Sequence, residues 1–193
     1  MSIAVPATLT VPERVGEPQV LASKFGRSLR VQRYRHPEGW EDDYSHWHAD
    51  AYPSITLPVT TDRMVVAQWE FRYGIDRPML EVSGGNRKPG QSAEDVAREE
   101  LQQETGYAPG ELILLNPEVY GDPASLTFPQ ALFLAMDCVC VGDPKPDRGE
   151  YIQIVKFPLT EWIGRIWAGE IKDQKTIAIT MLALPHLNVG IGI

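Results

Sequence analysis

The stretch GGNRKPGQSAEDVAREELQQETGY, residues 84–107, decides the fold. Its glycine-rich opening gives the backbone the freedom that a tight turn needs. Ser92, followed three residues later by Asp95, is the capping pattern that begins a helix, and Gly106 is typical of the residue that ends one. We therefore expect a turn that leads directly into a helix over residues 93–105.

One face of that helix is mostly apolar, yet two carboxylates fall within it. At about 100° per residue the apolar positions of this face are Ala93, Val96, Ala97 and Leu101. Glu100 and Glu104 lie four residues apart, so they are stacked one turn above each other. Buried carboxylates repel each other and lose solvation unless a positive charge compensates, and Mg²⁺ prefers oxygen ligands. The alternative is that both glutamates lie at the edge of the face and reach solvent.

The stretch resembles a Nudix box, whose family pattern is G-x5-E-x7-R-E-U-x-E-E-x-G-U, with U an apolar residue. Aligned on the second glycine, the chain retains the pattern at Gly85, Glu100, Leu101, Glu104 and Gly106, with Tyr107 at the last position. Three positions depart from it, since Gln91 replaces Glu, Glu99 replaces Arg, and Gln103 replaces the first Glu of the final pair. The box is therefore recognisable but degraded.

Two of these departures affect a brace rather than the chemistry. In the family, the replaced Glu and Arg are thought to pair and hold the loop against the helix. Gln91 and Glu99 can still hydrogen-bond to each other, which predicts that the brace is rewired rather than lost. Arg98 lies on the outer face of the helix and is a poor substitute.

The resemblance extends beyond the box. Residues 59–85 (VTTDRMVVAQWEFRYGIDRPMLEVSGG) are similar to the hairpin that precedes the box in the ADP-ribose pyrophosphatase branch, although Trp69 and Glu70 replace its usual polar pair. Residues 150–161 and 169–184 are similar to the C-terminal part of that branch. The resemblance implies an α/β protein with the Nudix fold, a mixed-sheet α/β/α sandwich with an N-terminal β extension. It also implies a homodimer, with residues 1–50 as an arm and dimer element and residues 51–193 as the Nudix domain.

Local patterns predict the remaining elements. Residues 1–18 are expected to form an extended or disordered arm, and residues 36–50 a polar, aromatic loop in which His46 and His48 are surface or interface residues. Strands are expected over residues 28–35, 54–60, 64–71, 79–82, 112–115, 131–141 and 151–157, with a loop over 116–129. Helices are expected over residues 159–167, capped by Thr160, and 173–184, ended by Pro185.

Composition restricts the partners. The net charge of −8 argues against nucleic acid or an anionic membrane as a partner. No apolar run approaches ~18 residues, and the start lacks a basic segment followed by an apolar one. Cys138 and Cys140 alternate along a predicted strand and should point the same way, which favours reduced thiols in a cytoplasmic protein.

The resemblance also assigns chemistry to particular residues. The backbone carbonyl of Gly84 and the carboxylates of Glu100 and Glu104 would bind Mg²⁺, with Mn²⁺ as an alternative. A further catalytic carboxylate would come from Glu150, or from Asp147 nearby. The implied reaction is attack of water on a pyrophosphate, with metal and carboxylate assistance.

Two residues are predicted to bind the substrate. Gly85 belongs to the box turn, and Arg72 matches an arginine of the branch. Arg72 is expected either to reach a phosphate or to form a structural ion pair.

Three functions remain open at this point. The first is a Mg²⁺-dependent hydrolase of a nucleoside diphosphate linked to a sugar or a similar group, such as ADP-ribose, which Glu100 and Glu104 favour. The second is a Nudix-fold protein that binds a nucleotide with little or no catalysis, which Gln91, Glu99 and Gln103 favour. The third is a structural or interaction protein that binds neither metal nor nucleotide.

Overall fold

The box helix lies where its capping residues predict. Helix α1 spans Ala93–Thr105 in the computed structural model, which describes residues 3–88 and 90–189. The Ser92 hydroxyl accepts a hydrogen bond from the amide of Asp95, and the Asp95 carboxylate accepts one from the amide of Ser92. Gly106 ends the helix with φ of 77°, in the left-handed region that favours glycine. The predicted capping box and glycine cap are both confirmed.

The N-terminal residues form a small antiparallel sheet. Its strands are β1 (Glu13–Lys24), β2 (Arg27–Arg35) and β3 (Glu41–Ala49), in that spatial order. This unit consists of the described residues up to Asp50 together with Asp122–Phe128. The sequence predictions missed two strands here. The arm, expected to be extended or disordered, contains the start of β1, and the prediction of a polar loop was wrong because that segment contains β3.

The pattern of side chains explains both errors. Strand β1 contains Gly16 at φ of 68° and two register shifts, which interrupt the alternation of apolar and polar residues. Nearly all side chains of β3 are exposed or half-buried, so it has no apolar face for a pattern to reveal. Backbone pairing with β2 holds both strands. His48 is partly buried and contacts Thr127 and Asp50 within this unit.

A mixed sheet of eight strands forms the centre of the other unit, which comprises Ala51–Gly121 and the described residues from Pro129 onward. Its strands are β4 (Pro53–Thr60), β5 (Met64–Arg72), β6 (Arg77–Glu81), β7 (Gly84–Asn86), β8 (Tyr107–Ala108), β9 (Glu111–Val119), β10 (Gln130–Cys140) and β11 (Ile152–Pro158). The main path runs β11-β5-β4-β10-β8, with β6 beside β5, β7 beside β4 and β9 beside β10. Strands β4 and β10 are parallel and the other pairs are antiparallel, so the predicted mixed sheet is present.

Helices cover both faces of this sheet. The buried side chains of Leu132 and Leu134 on β10 belong to the large core beneath α2 (Leu159–Trp167) and α3 (Gln174–Ala183). The intervening residues of β10, Ala131 and Phe133, pack with Ala97 of α1 instead. Alternate side chains of β10 therefore belong to two hydrophobic cores, one on each face of the sheet, as an α/β/α arrangement requires.

The ends of the last helices differ in one detail from the sequence prediction. Asp173, predicted as the first residue of this helix, caps α3 by accepting a hydrogen bond from the amide of Thr176, and Pro185 lies in a short 3₁₀ turn, Leu184–His186. Thr160 was predicted to cap α2, and this was wrong, because Pro158 holds the cap position and no side chain bonds there.

A kink in β10 precedes the two cysteines. Asp137 has φ of 53°, and the pairing with β4 shifts register between Ala135 and Cys138. Cys138 is buried while Cys140 is exposed, and the prediction that their side chains point the same way stays a prediction. Both thiols are free.

The predicted loop over residues 116–129 was too long, because β9 continues to Val119.

Within the described residues, no helix combines the length and apolar character needed to cross a membrane. The predicted boundary between residues 50 and 51 stays a prediction.

Candidate active site

The turn before α1 brings backbone against two carboxylates. The amide of Gly84 donates a hydrogen bond to Oε2 of Glu104 at 3.0 Å. A Cβ on Gly85 would lie 2.2 Å from Cδ and Oε1 of Glu100, so any side chain there would displace that carboxylate. Gly85 is therefore required here because α1 places the Glu100 side chain against the turn.

The side chain of Glu104 is almost completely buried. Only 2% of it is exposed, and its Oε2 accepts hydrogen bonds from the Gly84 amide and from Nε2 of Gln68, the latter at 3.2 Å. Burial, followed by repulsion from Glu70, raises the pKa of Glu104 to about 8, while the hydrogen bonds from Gly84 and Gln68 act in the opposite direction. The inward orientation predicted from the helical period is confirmed, and the alternative that Glu104 reaches solvent is excluded.

Glu100 lies one turn earlier and is half-buried. Burial raises its pKa to about 7, followed by repulsion from Glu150, while Lys88 acts in the opposite direction. The carboxylate of Glu150 accepts a hydrogen bond from the amide of Asp147 at 2.7 Å. Glu150 and Asp147 are thus within electrostatic reach of Glu100, in the part of the chain expected to supply a further carboxylate.

Strand β5 adds a third acid that faces the same space. Gln68 and Glu70 are two residues apart, so both point to the α1 face of the sheet. Nε2 of Gln68 donates to Oε2 of Glu70 and to Oε2 of Glu104, each at 3.2 Å. Burial raises the pKa of Glu70 to about 7, against the lowering effect of Arg72. One amide group therefore joins the carboxylate of the strand to that of the helix.

Arg72 is held by two acids of neighbouring strands. Its guanidinium contacts Oε1 of Glu70 at 2.7 Å and Oε1 of Glu81 at 2.6 Å. Lys175 of α3 contacts Glu81 as well, and Asp173 at 2.9 Å. Of the two roles expected for Arg72, the ion pair is present in the structure, and contact with a phosphate stays a prediction.

The network as a whole has more acid than base. It links four carboxylates to two basic side chains, and its members are Glu70, Glu81, Glu104, Asp173, Arg72 and Lys175. Uncompensated charge in a buried site is costly, so this imbalance requires bound protons or a cation. The raised pKa values correspond to compensation of the excess negative charge by bound protons, and compensation by a divalent cation is the alternative.

The donor set fits a hard divalent cation. Among residues 3–88 and 90–189, no group of three or more His, Cys, Asp or Glu side chains is placed to hold a metal ion. Mg²⁺ does not need one, because it commonly takes one or two carboxylates and fills its shell with water and substrate phosphates. Gln68 is fully buried and directs its Nε2 donor at Glu70 and Glu104, and its Oε1 has no hydrogen-bond partner among the described residues.

The altered positions of the box form a brace of a different composition. Nε2 of Gln91 donates to the Glu99 carboxylate, and Lys88 pairs with the same carboxylate at 2.7 Å. Arg98 pairs instead with Glu94 on the exposed face of α1 at 2.8 Å. The predicted rewiring is confirmed, with Lys88 supplying the positive charge in place of the arginine of the family pattern.

Gln103 borders a cleft rather than the buried acids. This cleft has a volume of about 460 Å³ and is lined by Glu99, Gln102, Gln103, Gly106, Val141, Gly142, Asp143, Lys145 and Asp147. The backbone carbonyl of Gln103 accepts a hydrogen bond from the amide of Lys145 at 2.7 Å, which ties the loop after β10 to the end of α1. Gln103 therefore lies beside the site, next to the loop that contains Asp147.

Sequence reasoning did not identify five residues in and beside this network as part of the site. They are Gln68, Glu70, Glu81, Asp173 and Lys175. A signal was present, since Gln68, Glu70 and Arg72 alternate along a strand whose other buried residues are apolar, which places three polar groups on one face. Nothing local in the sequence showed that this face meets Glu104.

Two known proteins that are similar to the chain in sequence are both named as pyrophosphatases. No family model matches the chain. The chain is 25% identical over 121 residues to an ADP-ribose pyrophosphatase of Bacillus subtilis (strain 168), covering 62% of this chain and 65% of that protein. It is 29% identical over 133 residues to an ADP-sugar pyrophosphatase of Mus musculus, covering 64% and 61%. The alignments thus span less than two thirds of each relative's length.

A solved structure shares the fold. The chain superposes on the crystal structure of an ADP compounds hydrolase with a TM-score of 0.80 and 17% identity, covering 95% of this chain and 99% of that one. The predicted Nudix fold is confirmed by this superposition, and the predicted resemblance to the ADP-ribose pyrophosphatase-like branch of the Nudix family is confirmed by the two relatives.

Proposed function

We propose that the protein is a metal-dependent hydrolase that cleaves the pyrophosphate of a nucleoside diphosphate linked to another group, with ADP-ribose and other nucleotide sugars as the first substrates to test. The observation that carries this proposal is the pair Glu100 and Glu104, pressed against the Gly84–Gly85 turn with raised pKa values and too little positive charge around them. The two pyrophosphatases that the chain resembles support the substrate class.

Each residue of the site has a role in this proposal. Glu100, Glu104 and the carbonyl of Gly84 would hold Mg²⁺ or Mn²⁺, which lowers the pKa of a bound water and screens phosphate charge. The backbone at Gly85 lets a phosphate approach closely because no side chain intervenes. Glu150 accepts the proton of the attacking water, with Asp147 as its alternative, and both belong to the loop anchored at the end of α1.

Arg72 has a place at the edge of this arrangement. Its side chain is 37% exposed although it pairs with two buried acids. It can therefore contact a phosphate of the substrate while it keeps Glu70 and Glu81 partly neutralised.

The test is turnover by the purified protein with Mg²⁺ or Mn²⁺. A panel of ADP-ribose, other ADP- and UDP-sugars, NADH and dinucleoside polyphosphates is expected to give a nucleoside monophosphate from at least one member. Glu104→Gln keeps the shape of the side chain and removes its charge, and should lower turnover by ~100-fold or more. Glu94→Gln, an exposed position on the same helix, is the matched control and should leave turnover unchanged. Equal rates for Glu104→Gln and the wild-type protein would refute the proposal.

The replacement at Gln103 favours a second candidate, a protein that binds the nucleotide with little catalysis. An amide is a weaker ligand for Mg²⁺ than a carboxylate and cannot act as a base. This candidate predicts that one member of the panel raises the melting temperature without being cleaved. Restoration of the acid by Gln103→Glu would then produce turnover.

The homodimer stays a prediction, and the N-terminal sheet offers support for it. Its unit exposes several large apolar side chains, namely Val20, Leu21, Phe25, Trp40, Tyr44 and Trp47. Sedimentation at micromolar concentration should give twice the chain mass of 21.6 kDa if this surface is an interface. The cytoplasmic location also stays a prediction.

A further inference from the structure

The first turn of α3 is fastened to the end of strand β6. The hydroxyl of Thr176 accepts a hydrogen bond from the amide of Val82 at 3.1 Å and donates one to the Asp173 carboxylate at 2.6 Å. The neighbouring Lys175 contacts the carboxylate of Glu81, the residue before Val82. Two successive residues of the helix therefore hold two successive residues at the end of the strand, just before the turn of the box.

The carboxylate of Glu81 joins Lys175 to Arg72. Its side chain is only 1% exposed, and each of its two oxygens contacts a different cation. Oε1 lies 2.6 Å from Nε of Arg72, and Oε2 contacts Nζ of Lys175. Because both oxygens have charged partners, the Glu81 carboxylate is held in one orientation between α3 and β5.

The position of Lys175 is unfavourable for the helix that contains it. Lys175 lies in the first turn of α3, where the aligned peptide dipoles place partial positive charge and favour acidic side chains. Asp173, at 2.9 Å from Nζ, compensates part of this repulsion. A lysine here does not stabilise the helix end, so the contact with Glu81 is the interaction that its charge serves.

We propose that Lys175 is a positioning residue, which acts through Glu81 to keep the guanidinium of Arg72 directed at a phosphate of the substrate. This inference rests on the proposed function, since it concerns the phosphate contact that the function expects of Arg72. It adds a residue of α3, outside the box and its acids, to the residues that govern substrate binding.

Lys175 restricts the arrangements that are open to Arg72. A guanidinium and a carboxylate tend to form two parallel hydrogen bonds, which occupy both carboxylate oxygens. Because Lys175 occupies Oε2 of Glu81, Arg72 approaches Oε1 through Nε, and its Nη1 lies 2.7 Å from Oε1 of Glu70. These pairs use Nε and Nη1 at their closest approach, so that Nη2 can donate to a phosphate oxygen.

Lys175 also limits how far Glu81 neutralises Arg72. The Nζ group shares the negative charge of Glu81, and its side chain is only 21% exposed, so solvent screens this interaction weakly. Without Lys175, both oxygens of Glu81 could pair with Arg72 and draw the guanidinium towards the strand end. The attraction of Arg72 for a phosphate would then be weaker.

The experiment measures binding of ADP-ribose by calorimetric titration in EDTA, so that metal-dependent hydrolysis does not interfere. Lys175→Met removes the charge and should raise the dissociation constant by ~10-fold, as expected when one charge-assisted hydrogen bond to the ligand is lost. Lys172→Met removes the same charge from an exposed lysine of the neighbouring segment and is the matched control, with an unchanged dissociation constant. Lys175→Arg supplies a cation of similar reach and should keep most of the wild-type affinity.

A double variant tests whether Lys175 acts through Arg72. Arg72→Lys keeps the charge but loses the guanidinium fork, and by itself should weaken ADP-ribose binding. Lys175→Met should then have a much smaller effect in the Arg72→Lys background than in the wild-type background. Additive effects of the two substitutions would overturn the inference.

Steady-state kinetics with Mg²⁺ add a measurement that a purely structural role would not change. Because Arg72 is expected to hold the phosphate equally before and during the reaction, Lys175→Met should raise KM and leave kcat within ~2-fold. If Lys175→Met lowers only the melting temperature, with KM and the dissociation constant unaltered, the inference is overturned. Lys175→Gln keeps a hydrogen-bond donor without the charge, should weaken ADP-ribose binding by several-fold, and decides the question if Lys175→Met fails to fold.

The outcomes distinguish this inference from the proposed function. If ADP-ribose binding depends on Lys175 but no member of the substrate panel is cleaved, the positioning role stands without catalysis. If the wild-type protein cleaves a substrate and Lys175→Met binds ADP-ribose like the wild-type protein, the proposed function stands and the inference is overturned. If the wild-type protein does not bind ADP-ribose at millimolar concentration, the inference is overturned whatever the turnover.

Discussion

At the scale of single residues, Gly85 determines where Glu100 can lie. A methyl group on Gly85 would lie 2.2 Å from the Glu100 carboxylate, and the flexible side chain can yield more easily than the backbone. Gly85→Ala should therefore fold but lower turnover by ~10-fold or more, because ligands displaced by about 1 Å are costly to catalysis. Steady-state rates with Mg²⁺ and the best substrate of the panel provide the measurement.

Gly74→Ala is the matched control for this prediction. A Cβ on Gly74 would meet nothing within 4 Å, so the same substitution there should leave turnover unchanged. If Gly85→Ala retained full activity, Glu100 would not need its present position.

At the scale of secondary structure, the capping box of α1 anchors the helix that carries both box acids. Ser92→Ala removes the hydroxyl that accepts the Asp95 amide at 3.1 Å, and should reduce the free energy of unfolding by ~1 kcal/mol. Urea denaturation gives this quantity.

Thr160→Ala provides the comparison, because the sequence predicts a cap there and the structure has none. It should change the free energy of unfolding by less than ~0.5 kcal/mol. An equal loss in both variants would mean that Thr160 caps α2 after all.

The secondary-structure elements also show which features can be predicted from the sequence. The bounds of α1 follow from Ser92, Asp95 and Gly106, because capping chemistry is local and lies within a few residues of each end. Strand β3 could not be predicted, since its side chains are exposed and only pairing with β2 holds it. Glu100 and Glu104 were found from helical period, whereas the contact of Gln68 with Glu104 joins residues 36 positions apart and depends on the sheet.

At the scale of the whole molecule, the excess of buried acid links stability to pH. The pKa values of Glu70, Glu100 and Glu104 are raised in the folded protein, to about 7, about 7 and about 8, above the ordinary value of 4.5. Between pH 4.5 and 8 the folded state therefore holds protons that the unfolded state has released. The contribution of these groups to stability is present below that window and is lost as the pH rises through it.

The melting temperature of the metal-free wild-type protein, measured in EDTA, should accordingly fall by several degrees from pH 5.5 to pH 8.5. It should fall more steeply than that of Glu104→Gln, which has no proton to lose at this position. Glu118→Gln, which replaces an exposed acid on β9, should keep the wild-type slope.

Mn²⁺ should then raise the melting temperature of the wild-type protein more at pH 8.5 than at pH 5.5, because protons compete with the cation for the same carboxylates. Parallel slopes for Glu104→Gln and the wild-type protein would show that the acids of the site are not held in their protonated form.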